Sequence, residues 1–258
     1  QGYIEDSDLF LFPYDWRYGV SENNINLLKQ KIVDVLTNTG AEKVDIIAHS
    51  TGGLMVKKYV IDYPNEHHID KALFIGVPNT GAPKAIKALI VGDSFGNIFL
   101  DSDEMKKISK NLPVSYDLSP SEQYFNIKGS YIKIIEQRPF SNDSYDLNFE
   151  EINNFLVNKK NLNKQALVNA HNLHTSDFDN FDLRDVGINL YAINGCKAGT
   201  IGKLVEVRHY NLFDKEYSSY YKLEQTPGDG TVPFESATNL PIDQENKFYT
   251  LKAKHSEM

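Results

Sequence analysis

The run Ala48-His49-Ser50-Thr51-Gly52-Gly53 constrains this chain more than any other feature. It stands between a β-branched stretch, KVDIIA at 43–48, and a helix-patterned segment from Gly52 to Tyr63 that stops at Pro64. A serine flanked at two residues by small side chains, between a strand and a helix, is the nucleophile-elbow pattern, here with Ala48 in place of the first glycine. The turn is so tight that the residues two before and two after the serine are expected to be small, and Ala48 and Gly52 are. Ser50 should sit in a strained backbone conformation with its Oγ exposed. The backbone N–H of Thr51 should face the same place and donate to an oxyanion, with the helix N-terminus adding favourable potential for negative charge. The competing reading is a glycine-rich turn that merely packs a helix on a strand.

The surrounding pattern predicts an α/β fold. DLFLF at 8–12 reads as a short buried strand. Ile25, Leu28, Ile32 and Leu36 recur at helical spacing, between Ser21 as N-cap and Gly40 as terminator. KALFIGVP at 71–78 and INLYAING at 188–195 read as strands, LVEVRHY and YSSYYKLE as a hairpin, QTPGDGTVPFESA as loop, and NKFYTLKA at 246–253 as the last strand. Alternating strands and helices imply a mostly parallel sheet with helices on its faces. Between about Gly92 and Val186 the chain turns rich in Asn, Asp, Ser and Tyr, and reads as an inserted, mainly helical cap or lid subdomain. The expected division is 1–91 and 187–258 for the core sheet, and 92–186 for the insert.

Composition removes several classes. With a formal net charge of −8 over 258 residues and no basic cluster, nucleic-acid binding is not indicated. The single cysteine, Cys196, excludes an internal disulfide framework and a multi-thiolate metal site. Neither a membrane span nor a signal peptide is visible in these residues.

A nucleophilic serine needs a base, and the base an orienting acid, in the chain order serine, acid, histidine for this fold class. Asp229, in PGDGTVP, and His255, after the last expected strand, fit that order. Read singly, they would be a turn aspartate and a surface histidine near a chain end.

Six blocks in order then carry a family resemblance: FPYDWR at 12–17, IIAHSTGGLMVKKYV at 46–60, FIGVPNTGAPKAI at 74–86, NLPVSYDLSPSEQYF at 111–125, GDGTVPFESA at 228–237 and KHSEM at 254–258. Together they resemble the lecithin:cholesterol acyltransferase-like lipase/acyltransferase family, a branch of the α/β hydrolases. The fourth block differs from the family pattern by Val114 at its first serine. The resemblance implies Ser50 as nucleophile, Asp229 as orienting acid and His255 as general base and acid. It implies neither metal nor organic cofactor. The implied activity is a serine-dependent lipase or esterase on a lipid or other hydrophobic ester, through an acyl-serine. Transfer of the acyl group to an alcohol, a peptidase of the same fold, and a non-catalytic lipid-binding or scaffold protein are the alternatives.

Other residues have two readings each. Asp15, Trp16 and Arg17 are either a wall near the nucleophile or, preferably, a buried Arg–carboxylate pair under Trp16 that fixes a loop. His49 is expected to pack or hydrogen-bond beside the elbow. His67 and His68 are expected to be solvated. His171 and His174, with Asp177 and Asp179, read as helix-end polarity rather than a metal site. Phe95, Ile98, Phe99 and Leu100 are either insert core or a lid that makes transient contact with a lipid interface. The strand and loop that would supply a second oxyanion donor are not recognisable before the elbow. The chain is therefore expected to be an internal piece of a longer protein, with an exposed sheet edge and an incomplete oxyanion hole.

Overall fold

A computed structural model describes residues 2–93, 101–250 and 253–258. The candidate lid residues Phe95, Ile98, Phe99 and Leu100 lie outside the described residues. The first half follows the local signals closely. Helix α1 (Glu22–Thr39) starts at Ser21, whose Oγ accepts from Asn24 N, and ends at Gly40 in the left-handed conformation (φ 72°). Its Ile25, Leu28 and Ile32 are buried. Strand β1 (Val44–His49), helix α2 (Thr51–Asp62), strand β2 (Ile69–Ile75) and helix α3 (Pro83–Ile90) follow.

Residues 101–186 carry α4 (Ser102–Ser109), α5 (Pro113–Asp117), α6 (Glu122–Lys128), β3 (Ile132–Gln137), β4 (Asn142–Asp146), α7 (Phe149–Asn158), α8 (Lys164–Leu173) and α9 (Ser176–Asp179). The chain then returns through β5 (Asn189–Gly195), the long hairpin β6 (Ala198–Tyr210) and β7 (Glu216–Gly228), α10 (Phe234–Ala237) and β8 (Lys247–Thr250).

Two sheets result. The first has the order β1-β2-β5-β8 and is parallel throughout. The second has the order β4-β3-β6-β7; β3 and β6 run parallel and the other pairs antiparallel. The second sheet thus draws strands from both sides of β5. α2 packs its Leu54, Val56 and Val60 with Ala72, Phe74 and Leu190 of the first sheet. A second core joins Ile86 and Ile90 of α3 to Ile132, Ile134, Phe155 and Leu204. No described helix is long and apolar enough to cross a membrane.

Two expectations are corrected here. DLFLF at 8–12 is not a strand: one bridge joins Glu5 to Leu9, and Leu9 and Leu11 are 44% and 63% exposed. A strand exists only where a neighbouring backbone takes up its N–H and C=O groups, and β1 pairs with β2 alone. β1 forms an edge of the sheet, with Ile47 70% exposed. The loop expected from Gln225 begins only at Asp229, because β7 keeps its pairing with β6 to Gly228. Pro227 is tolerated because β7 is an edge strand.

Candidate active site

Ser50 lies between β1 and α2 at φ 55°, ψ −129°, a conformation that costs a non-glycine residue about 1–3 kcal/mol. Its surroundings hold it there. Ser50 N donates to Ile75 O (2.9 Å), extending the β1–β2 ladder, and Ser50 O accepts from Gly53 N (3.0 Å). Thr51 is the first residue of α2, where a backbone N–H has no intrahelical acceptor.

The reason for small residues around the serine differs from the expected one. A Cβ on Gly53 would meet the Val77 side chain at 2.2 Å. On Gly52 it would find nothing nearer than Tyr14 Oη at 3.9 Å and Ala48 Cβ at 4.0 Å. The close approach therefore falls one residue later, where α2 crosses the end of β2.

Ser50 Oγ and His255 Nε2 are 2.8 Å apart, and His255 Nδ1 is 2.8 Å from Asp229 Oδ2. An ionised carboxylate only accepts, so Nδ1 carries the proton and Nε2 is free to accept from Ser50. Asp229 is fully buried, and its Oδ1 accepts from Thr231 N (2.8 Å) and Val232 N (2.7 Å). Its carbonyl takes the backbone N–H of His255 at 2.9 Å, so the two residues are joined through backbone as well as side chain.

His49 lies beside this chain of contacts. Its Nε2 donates to the carbonyl of His255 (2.8 Å), and the two rings are 4.6 Å apart at 42°.

Sequence reasoning missed Gly76 and Gly195, at the carboxyl ends of β2 and β5. Gly76 has φ 55°, and a Cβ there would stand 3.1 Å from both Asp229 Oδ2 and His255 Nδ1. A Cβ on Gly195 would stand 2.5 Å from Asp229 Cβ. Nothing local marks either position; the signal is a glycine ending each of two adjacent parallel strands. Met258 fills the remaining space, its Sδ accepting from Thr250 Oγ1 at 3.2 Å.

The loop before α1 departs from expectation. Arg17 does grip Asp15, through Nε to Oδ1 at 2.8 Å and NH2 to Oδ2 at 2.6 Å, which holds the Asp15 carboxyl below its usual range. The pair is at the surface, however, and Trp16 is 55% exposed. What fixes the loop is buried Asn24, whose Nδ2 donates to the carbonyls of Asp15 and Gly19 at 3.0 Å each. Tyr14 comes near the elbow, its Oη 3.9 Å from where a Cβ on Gly52 would stand, and burial pushes its phenol pKa up.

His67 is likewise not solvated. It is buried, with Nδ1 accepting from Ile69 N (2.9 Å) and Nε2 donating to Val186 O (3.2 Å), so it ties the start of β2 to the insert. His68 is exposed. His174 is buried between Asp179 Oδ1 (2.6 Å) and the carbonyl of Asp117 (2.7 Å). Ser121 Oγ donates to the other Asp179 oxygen at 2.6 Å, and buried Lys57 of α2 donates to the Asp179 carbonyl at 3.0 Å. Among the described residues no cluster of His, Cys, Asp or Glu could hold a metal ion.

Comparison with known proteins agrees with this architecture. The chain is 35% identical over 101 residues to Phospholipase A(1) LCAT3 of Arabidopsis thaliana, a match covering 36% of this chain and 22% of that protein. It is 29% identical over 110 residues to Phosphatidylcholine-sterol acyltransferase of Mus musculus, covering 41% of this chain and 25% of the relative. The matches thus span about a quarter of these relatives' length. Among solved structures, a chain of the Tle4–Tli4 complex superposes with a TM-score of 0.64 at 14% identity, over 94% of this chain and 63% of that one; the likeness is one of fold. The family model for lecithin:cholesterol acyltransferase matches residues 1–191, which include Ser50 and four of the six sequence blocks but not Asp229 or His255. The chain belongs to the lecithin:cholesterol acyltransferase family.

Proposed function

We propose that this chain carries the catalytic residues of a serine-dependent lipase or esterase that cleaves the acyl group from a lipid ester through an acyl-serine intermediate. The observation that carries the reading is the unbroken contact from Ser50 Oγ through His255 to buried Asp229, at 2.8 Å in each step. His255 Nε2 takes the Ser50 proton as Oγ attacks the ester carbonyl. The oxyanion forms beside the N–H of Thr51. His255 then returns the proton to the departing alcohol, and a water, activated by the same nitrogen, releases the acid. Asp229 keeps Nδ1 protonated and stabilises the imidazolium that forms on Nε2 protonation.

An alcohol in place of that water gives acyl transfer instead. This second reading is favoured by the relatives named phosphatidylcholine-sterol acyltransferase, whereas the phospholipase A(1) relative fits hydrolysis. Residues 92–186 are taken as the cap beside the site, and a hydrophobic ester is the substrate class.

A fluorophosphonate probe tests the proposal. Labelling of the chain that disappears in Ser50→Ala, together with hydrolysis of p-nitrophenyl esters, is expected. Labelling that persists in Ser50→Ala, or none in the unaltered chain, refutes it. Adding a long-chain alcohol and seeking a new ester separates transfer from hydrolysis.

A further inference from the structure

The second sheet ends, on the side away from Asp229, in two hairpin turns. Residues 138–141 join β3 to β4, and residues 211–215 join β6 to β7. Because β3 runs parallel to β6 with Gln137 beside His209, the two turns lie next to each other. Arg138 fastens them: its Nε donates to Asp214 at 2.7 Å and its guanidinium lies 4.6 Å from the centre of the Tyr210 ring.

On these turns stand Phe140 and Phe213, 91% and 90% exposed, the most exposed large apolar side chains among the described residues. Leu212, 70% exposed, is beside them. Single surface hydrophobics are ordinary, but a cluster on adjoining tips marks a contact surface.

Two features favour lipid over protein as the partner. The apolar groups project from turns rather than line a groove, a shape suited to entering a fluid interface. The turns also pair part of their own backbone, the 211–215 turn most fully. Asn211 Oδ1 accepts from Phe213 N (2.9 Å) and Lys215 N (3.1 Å), Asp214 N donates to Asn211 O (3.0 Å), and Arg138 N donates to Ser141 O (2.8 Å). Such N–H groups lose nothing when water is removed, which immersion in lipid otherwise penalises. Arg138 also pairs with Glu136 (2.7 Å) and Asp143 (3.1 Å), so charge at the tips is mixed rather than basic.

We propose that the paired turns insert Phe140, Leu212 and Phe213 into a zwitterionic lipid surface and hold the chain there. The inference rests on the lipid-ester reading for its purpose, but uses none of the Ser50 site. Twelve residue steps along β7 separate Glu216 from Gly228, about 40 Å at strand rise, so the contact governs residence on the surface and not the chemistry.

The test is co-flotation of the full chain with phosphatidylcholine vesicles, comparing the unaltered protein with Leu212→Ser/Phe213→Ser and with Phe140→Ser. The unaltered chain should float and resist salt. The double variant should lose on the order of tenfold in partitioning and Phe140→Ser less, since binding follows the apolar area buried. Thermal midpoint and turnover of a soluble short-chain ester should stay the same in both variants. Absence of flotation overturns the proposal, as does flotation unaffected by the substitutions. So does binding that requires phosphatidylglycerol and vanishes with salt, or a dimer that the double variant dissociates. Ser50→Ala should float normally. Flotation without any esterase activity would retain this contact and reject the catalytic reading; activity without flotation would do the reverse.

Discussion

In Gly195→Ala a methyl group appears 2.5 Å from the Cβ and 3.0 Å from the Cα of Asp229. Ordinary contact begins at 3.4 Å, so the acid must retreat by about 1 Å, with its backbone, because the obstruction includes main chain. Asp229 is pinned by Thr231 N, Val232 N and the backbone N–H of His255. A retreat of that size stretches the 2.8 Å contact to His255 Nδ1 out of hydrogen-bonding range. Misplacement by about 1 Å costs on the order of 10² in rate, and loss of the orienting acid in a serine–histidine–aspartate site up to about 10⁴. kcat on p-nitrophenyl butyrate should therefore fall about 10²–10⁴-fold with KM little changed, and the fluorophosphonate labelling rate should fall in parallel. Overpacking should lower stability by about 1–3 kcal/mol. Gly52→Ala is the internal control. Its methyl meets nothing closer than 3.9 Å, and alanine in a helix is favoured over glycine by roughly 0.5–1 kcal/mol. That variant should stay within about threefold of full activity and melt higher; the tolerance is a question of space, not of the elbow motif. The reasoning is refuted if Gly195→Ala retains activity within about tenfold, or if Gly52→Ala is as damaged as Gly195→Ala.

Two further outcomes follow from the same contacts. His49→Ala removes the hydrogen bond to the His255 carbonyl, a contact of roughly 1 kcal/mol; kcat should drop about five- to tenfold with KM unmoved, and His49→Gln should recover part of it, whereas an equal loss in both variants speaks against a positioning role. Burial lowers the Lys57 pKa to about 8, against the opposing pull of Asp179. Between pH 8 and 10.5 the unfolded chain therefore holds a proton there that the folded chain has shed, so this lysine's contribution to stability rises with pH across that window, by up to about 3 kcal/mol. Denaturant melts of the unaltered chain relative to Lys57→Met should converge or cross in the protein's favour as pH increases, and a pH-independent difference would contradict the assignment.

The local signals were readable wherever one stretch of chain carries both cause and effect. The Ser21 cap, the Gly40 stop and the elbow at Ser50 each depend on a few neighbouring residues, and each forms where the residue pattern places it. Asp229 and His255 were found by chain order and by resemblance; His255 meets Ser50, and Asp229 meets His255, each within hydrogen-bonding distance. DLFLF failed because strand pairing is not a property of the strand alone. His67 failed because a polar neighbourhood in sequence is not a polar neighbourhood in space: its ring is enclosed by Val186, 119 residues away.

From its residues alone, then, this protein is determined to be an α/β chain with a serine on a strained strand-to-helix turn and an acid and histidine downstream, since turn sterics and hydrophobic period are short-range. Only the tertiary structure decided which glycines are indispensable. Gly195 is set by Asp229, and Gly53 by Val77, through contacts that arise when separate strands and helices pack. It also decided that Phe140 and Phe213 stand on adjoining turns, because the parallel pairing of β3 with β6 brings together two turns more than 70 residues apart in sequence. Such contacts are long-range in the chain and short-range in space, and no local pattern encodes them.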